Sequence, residues 1–110
     1  MLKILVVNCS PTPRRMMSEY FTKGGYKVIE TANGNQTVEQ ADMENPDLIL
    51  VDSNVMGVGV LEVLETLKDN PATRPIPIIV VGDSTKGESA ALRAGAAHYL
   101  IRPLRLPPWR

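Results

Sequence analysis

A single cysteine is all the chain has, so no internal disulfide is available to it. Nor does it open with a charged n-region and a long apolar h-region, and together these point to a reducing, cytoplasmic setting. No apolar run approaches the length of a membrane span. Charge of one sign is missing too: twelve basic and twelve acidic residues cancel, so no net field draws the protein to nucleic acid or an anionic membrane. A DNA-binding role would need a local patch. Aromatics make up only 5% of residues, few to stack a flavin. The lone histidine, His98, has no Cys or His at ligand spacing and reads as a surface residue. No linker, low-complexity tract or internal repeat suggests a second domain. What remains is 110 residues, 44% apolar and 22% charged, which fits one small globular domain with a modest core.

One pattern repeats along the chain. Short, mostly β-branched runs occur at Lys3 to Val7, Tyr26 to Thr31, Leu48 to Val51, Ile78 to Val81 and Tyr99 to Ile101. Each is shorter than a stable isolated helix and reads as a strand. Between them lie apolar residues at helical spacing: Met16, Met17, Tyr20 and Phe21; Val38, Ala41 and Met43; Leu61, Val63, Leu64 and Leu67; Ala90, Ala91 and Ala94. Met16 and Met17 read as core fillers.

The punctuation agrees. Ser10 is placed to cap the first helix with Pro11 at its first position, and Gly24-Gly25 ends it. Pro46 stops the second helix, and Thr85 with Glu88 has the spacing of a capping box for the fourth. The strands are nearly all apolar rather than alternating, as a parallel sheet covered on both faces requires. Strand–helix alternation with right-handed crossovers then predicts an α/β fold with a doubly wound sheet.

In such a sheet, ligands are held outside the carboxyl ends of the strands, where strand order reverses. Asn8 and Cys9 follow the first strand, Asp52 the third, Gly82 and Asp83 the fourth, and Arg102 the fifth. An aspartate at a strand end caps a loop or binds an arginine more often than it reacts. Position is what makes Asp52 a functional candidate.

The stretches "KILVVNCSPTPRRMMSEYFTKGGYKVIETANG", "PDLILVDSNVMGVGVLEVLETLK", "IPIIVVGD" and "AGAAHYLIRPL" resemble, in this order and at these spacings, the response-regulator receiver domains of two-component signalling. The resemblance runs from Lys3 to about Pro103 and implies a five-stranded, flavodoxin-like parallel sheet of order 2-1-3-4-5. It implies a receiver-like domain over residues 1–103 with a Pro-rich tail at 104–110. It also implies a phosphorelay signalling module rather than an enzyme, with a histidine kinase or downstream signalling protein as partner; the balanced charge adds the expectation of no nucleic-acid or membrane partner. Asp52 falls at the phosphoacceptor position. Asn8 and Cys9 fall where the family has an acidic pair that serves magnesium, and Asn54 where a backbone carbonyl is offered to the metal. Gly82 stands in place of a hydroxyl residue, Arg102 in place of a lysine, and Tyr99 matches the aromatic switch.

Those departures change the chemistry. Magnesium is a hard, oxygen-seeking ion, and an amide and a soft thiol do not replace two carboxylates. Phosphoryl transfer depends on charge neutralisation and positioning, so slow phosphorylation or none is expected. Magnesium is expected to bind weakly if at all, through Asp52 and Asn54. The expectation is therefore a degenerate, pseudo-receiver domain acting by protein contact, with a conventional magnesium-dependent phosphoacceptor as the alternative. Arg102 is placed to form a bidentate pair with Asp52 and lock it.

A rival from another class rests on Cys9 and Arg15, separated by five residues after a strand, the spacing of the phosphate loop in low-molecular-weight tyrosine phosphatases. Against it, Pro11 and Pro13 each lack the N–H that such a loop needs. No Asp-Pro pair supplies a general acid. The bland readings make Cys9 a small buried hydrophobe and Arg14-Arg15 a solvated face.

Receivers resembling this chain carry a fifth helix beside the first, whereas "RPLRLPPWR" leaves no room for one before the sequence ends. The exposed sheet face would then be closed by Leu104, Leu106 and Trp109 folding back, by a second copy in a homodimer, or by further chain. The homodimer is the expectation preferred here.

Overall fold

The computed structural model describes residues 1–54, 57 and 59–108. Five strands alternate with four α-helices: β1 (Lys3–Val7), α1 (Pro11–Lys23), β2 (Lys27–Thr31), α2 (Gly34–Glu44), β3 (Leu48–Asp52), α3 (Val60–Asp69), β4 (Ile78–Gly82), α4 (Glu88–Arg93) and β5 (His98–Ile101). The strands form one parallel sheet in the order 2-1-3-4-5. Each strand lies within one residue of its expected bounds. No described helix is long and apolar enough to cross a membrane.

Alternation along each strand sorts the side chains to two faces. Leu5, Val7, Ile49, Val51, Ile78 and Val80 face α2, α3 and α4, and pack with Ala41, Val63, Leu64, Leu67 and Ala91 into one closed core. The opposite face carries Val6, Leu50, Asp52 and Val81, and α1 covers it only over β1 and β2. Because α1 and α3 leave toward opposite faces, the loops after β1 and β3 part and open a crevice at the carboxyl ends.

Local chemistry accounts for most helix ends. Pro11 starts α1, with Ser10 at the N-cap position. Ser10 makes no side-chain cap bond, however; its hydroxyl oxygen accepts instead from Asn54 Nδ2 at 3.4 Å. Gly24 closes α1, and Gly25 follows at φ 91°, a left-handed conformation that suits glycine. Asn33 caps α2 through the Gln36 N–H at 2.8 Å, and left-handed Asn45 ends it just before Pro46. The capping box expected at Thr85 and Glu88 does not form. Ser84 instead accepts from the Lys86 N–H (3.3 Å) and starts a 3₁₀ turn over Thr85–Gly87, so Glu88 opens α4 rather than lying inside it.

Met16 is 65% exposed and Met43 is exposed as well, so neither fills the core. The reason at Met16 is the partial cover on its side of the sheet. No helix follows β5 among the described residues. A groove of about 480 Å³ runs beside α1, lined by Met16, Met17, Tyr20, Leu50, Val81 and Leu104. The segment after β5 turns back along it, with Leu104 and Leu106 on its wall and the Tyr20 hydroxyl donating to the Pro107 carbonyl. Part of the cover expected from a second copy thus comes from the chain itself; Trp109 lies outside the described residues.

The two sides of the sheet should respond differently to truncation. Leu64→Ala, in the closed core, is expected to lower stability by about 2–5 kcal/mol, and Met16→Ala by less than about 0.5 kcal/mol. Equilibrium urea unfolding of both variants checks this.

Candidate functional site

The carboxyl ends of β1, β3, β4 and β5 bring Asn8, Cys9, Asp52, Asn54, Gly82, Asp83 and Arg102 together. Asp52 is the last residue of β3 and only 6% exposed. A carboxylate so far out of water needs charge-assisted partners. Its Oδ1 accepts from Arg102 Nη1 and from the Asn54 N–H, the latter at 2.9 Å. Arg102 reaches it because the Arg102 N–H donates to the Gly82 carbonyl at 2.8 Å, extending the β4–β5 pairing one residue past β5.

The expected bidentate pair takes another form. One arm of the guanidinium holds Asp52, while Nε, at 2.9 Å, and Nη2 both meet Oδ1 of Asp83. Asp83, with an 82% exposed side chain, is the carboxylate the sequence reading left without a role; its place after β4 was the available clue. The hydrogen bond to Asp52 raises the guanidinium pKa above its ordinary value, with Asp83 adding to the rise and partial burial opposing it. A raised base contributes stability below its unfolded pKa and loses it only as pH climbs past the folded one, beyond the already strongly basic ordinary range of arginine. The arginine therefore stays charged at any working pH.

The neighbouring oxygens are committed internally. The Asn8 side-chain oxygen accepts from the Ser10 N–H (2.9 Å), an Asx turn that leads the chain into α1. The Asn54 carbonyl accepts from the Cys9 N–H at 3.0 Å. Cys9 is half-buried rather than buried, with its sulfur 4.0 Å from the Ser10 hydroxyl. Among the described residues, no three His, Cys, Asp or Glu side chains are grouped to hold a metal ion. A neutral amide turned to a backbone N–H, a soft thiol, an occupied carbonyl and a carboxylate already neutralised by arginine do not fit magnesium.

Two other expectations resolve differently. Arg14 is not a solvated residue: it donates to the Asn8 carbonyl (2.9 Å) and to Glu30 (3.2 Å), bracing the end of β1 against β2. Arg15, matched with Cys9 in the phosphatase reading, lies 3.6 Å from Glu30. Since α1 begins at Pro11, residues 11–15 are helical and no loop of N–H donors lies between Cys9 and Arg15. At the far side of the site, the Tyr99 hydroxyl donates to the Ser84 carbonyl at 2.7 Å.

A parallel sheet of this order has an aspartate at the end of β3 and an arginine after β5. The family model for the response regulator receiver domain covers residues 4–107, and the chain belongs to that family of two-component signalling domains. It is similar to the polar-differentiation response regulator DivK of Brucella anthropi, at 31% identity over 94% of this chain and 86% of the relative. In structure it is similar to the chemotaxis response regulator CheY4 of Vibrio cholerae, with a TM-score of 0.89 and 25% identity over 96% of this chain and 89% of that one. The receiver domain of a Pseudomonas aeruginosa sensor histidine kinase, solved with magnesium coordinated in its active site cleft, shares the fold at a TM-score of 0.88 and 24% identity, over 94% and 87% of the two chains.

Breaking the clasp from one side should cost more than removing it. Arg102→Met leaves Asp52 charged and largely buried, an expected loss of about 1–3 kcal/mol, and adding Asp52→Asn should recover about half of it. Urea unfolding of both single variants and the double variant measures the coupling, and strictly additive effects would contradict it.

Proposed function

We propose that this domain signals through protein contact, with Asp52 at the phosphoacceptor position held by Arg102 rather than by a metal ion. The observation that carries this reading is the Arg102 arm on Asp52, in a site where the Asn8 side-chain oxygen and the Asn54 carbonyl are already bonded within the chain. Phosphoryl transfer to a carboxylate needs the incoming charge neutralised and the nucleophile free and aligned. Here the Arg102 cation is spent on the nucleophile itself. The partner is then a signalling protein, a histidine kinase or a downstream component, that recognises the shape of the domain. Asn8, Cys9, Gly82 and Arg102 are the positions where the pocket is degenerate, and Tyr99 is the aromatic beside it.

A second reading, conventional phosphoacceptance at Asp52, is favoured by one feature. Among the described residues only Oδ1 of Asp52 accepts a hydrogen bond, which leaves Oδ2 unengaged. Beryllofluoride with magnesium, a mimic of the phosphorylated carboxylate, separates the two. The natural chain is expected to form no complex at millimolar magnesium, and Cys9→Asp combined with Arg102→Lys is expected to raise magnesium affinity by at least about tenfold. Equal uptake by parent and variant, or rapid labelling of Asp52 by a small phosphodonor, would establish the second reading instead.

A further inference from the structure

Gly82 is the one glycine within a strand, and its backbone does not explain it. The glycines in left-handed conformations are Gly25, Gly57 and Gly95; Gly82 is in ordinary strand geometry, which any residue adopts. Glycine weakens a strand unless something approaches it closely. Here the close approach is by the Tyr99 side chain. A Cβ on residue 82 would lie 1.9 Å from the Tyr99 hydroxyl oxygen and 2.6 Å from the ring carbon that bears it, inside any non-bonded contact. Register explains the meeting. Tyr99 pairs with Val80 and Ile101 with Gly82, so the Tyr99 side chain starts two residues short of Gly82 on the same face and extends along β4 toward its end.

The tip of the ring is held from the other side as well. Its hydroxyl donates to the Ser84 carbonyl at 2.7 Å, and a Cβ on Gly87, in the 3₁₀ turn, would lie 3.4 Å from the same oxygen. The body of the ring packs on the closed core. Tyr99 therefore sits in a slot between two glycines, bonded at its far end and packed along its length.

We propose that Gly82 is a seat for Tyr99, and that the seated ring is a permanent strut joining the end of β4, the Ser84–Gly87 turn and β5 into one surface. No side chain at residue 82 competes for the space, so nothing in the site drives the ring out. A partner reading the turn and β5 meets one shape, whatever the chemical state of Asp52. This stands on packing alone and does not depend on how Asp52 is used.

A double-mutant cycle on the full chain tests the seat. Gly82→Ser is expected to shift the unfolding equilibrium by at least about tenfold toward the unfolded state when Tyr99 is present, and by less than about threefold in a Tyr99→Ala background. Equal penalties in both backgrounds would overturn the proposal. Should Gly82→Ser not fold, Gly82→Ala takes its place in the same cycle. Fluorine NMR of the chain labelled with 3-fluorotyrosine tests the permanence, since its three tyrosines give resolvable lines and Tyr99→Phe assigns one of them. The expected result is one Tyr99 line, unmoved by Asp52→Asn and displaced toward a solvent-exposed shift by Gly82→Ala. Two exchanging Tyr99 lines in the natural chain, or a Tyr99 line that moves with Asp52→Asn, would show a mobile ring and defeat the strut.

Discussion

A nearly buried carboxylate at the end of a parallel sheet sets the terms for the whole site. Burial of a carboxylate is costly without a partner, and the sheet supplies Asp52 with one through the register of its last strand. Because the backbone of Arg102 is tied to Gly82, the guanidinium is delivered to the crevice by strand pairing rather than by the choice of a flexible side chain. Asp83 then holds the remaining nitrogens, so that one cation answers two carboxylates.

The other polar atoms follow the same logic of internal satisfaction. Asn8 turns its oxygen to the Ser10 N–H, the Asn54 carbonyl takes the Cys9 N–H, and Arg14 covers the Asn8 carbonyl. No buried side-chain nitrogen or oxygen among the described residues lacks a hydrogen-bond partner. Each of these bonds would have to be replaced if the groups were rearranged. The same economy shapes the far side of the crevice, where the Tyr99 ring fills the space that a side chain on residue 82 would need.

Unequal cover of the two sheet faces is the second organising feature. Three helices close one face into a continuous core, whereas α1 and the returning segment after β5 leave a groove on the other. Arg102 and Leu104 belong to the same short segment, so the clasp on Asp52 and the wall of the groove are covalently neighbouring structures.

The sequence by itself determined the elements and the family, because those depend on local chemistry. Short apolar runs cannot be stable helices alone, Pro11 and Pro46 mark where helices begin and stop, and Gly24-Gly25 ends α1. Asp52, Asn8, Cys9 and Arg102 were legible as a group because strand ends in a doubly wound sheet converge. Tertiary structure alone decided how they are used. Whether Met16 is buried depends on what lies across the sheet, and whether Thr85 caps a helix depends on where the turn from β4 lands. Arg102 and Asp52 are fifty residues apart and Tyr99 and Ser84 fifteen, so no local pattern records that they meet. Strand register places each side chain to within a fraction of a residue's length, and on that scale a guanidinium reaches two carboxylates and a phenol ring fits over a glycine.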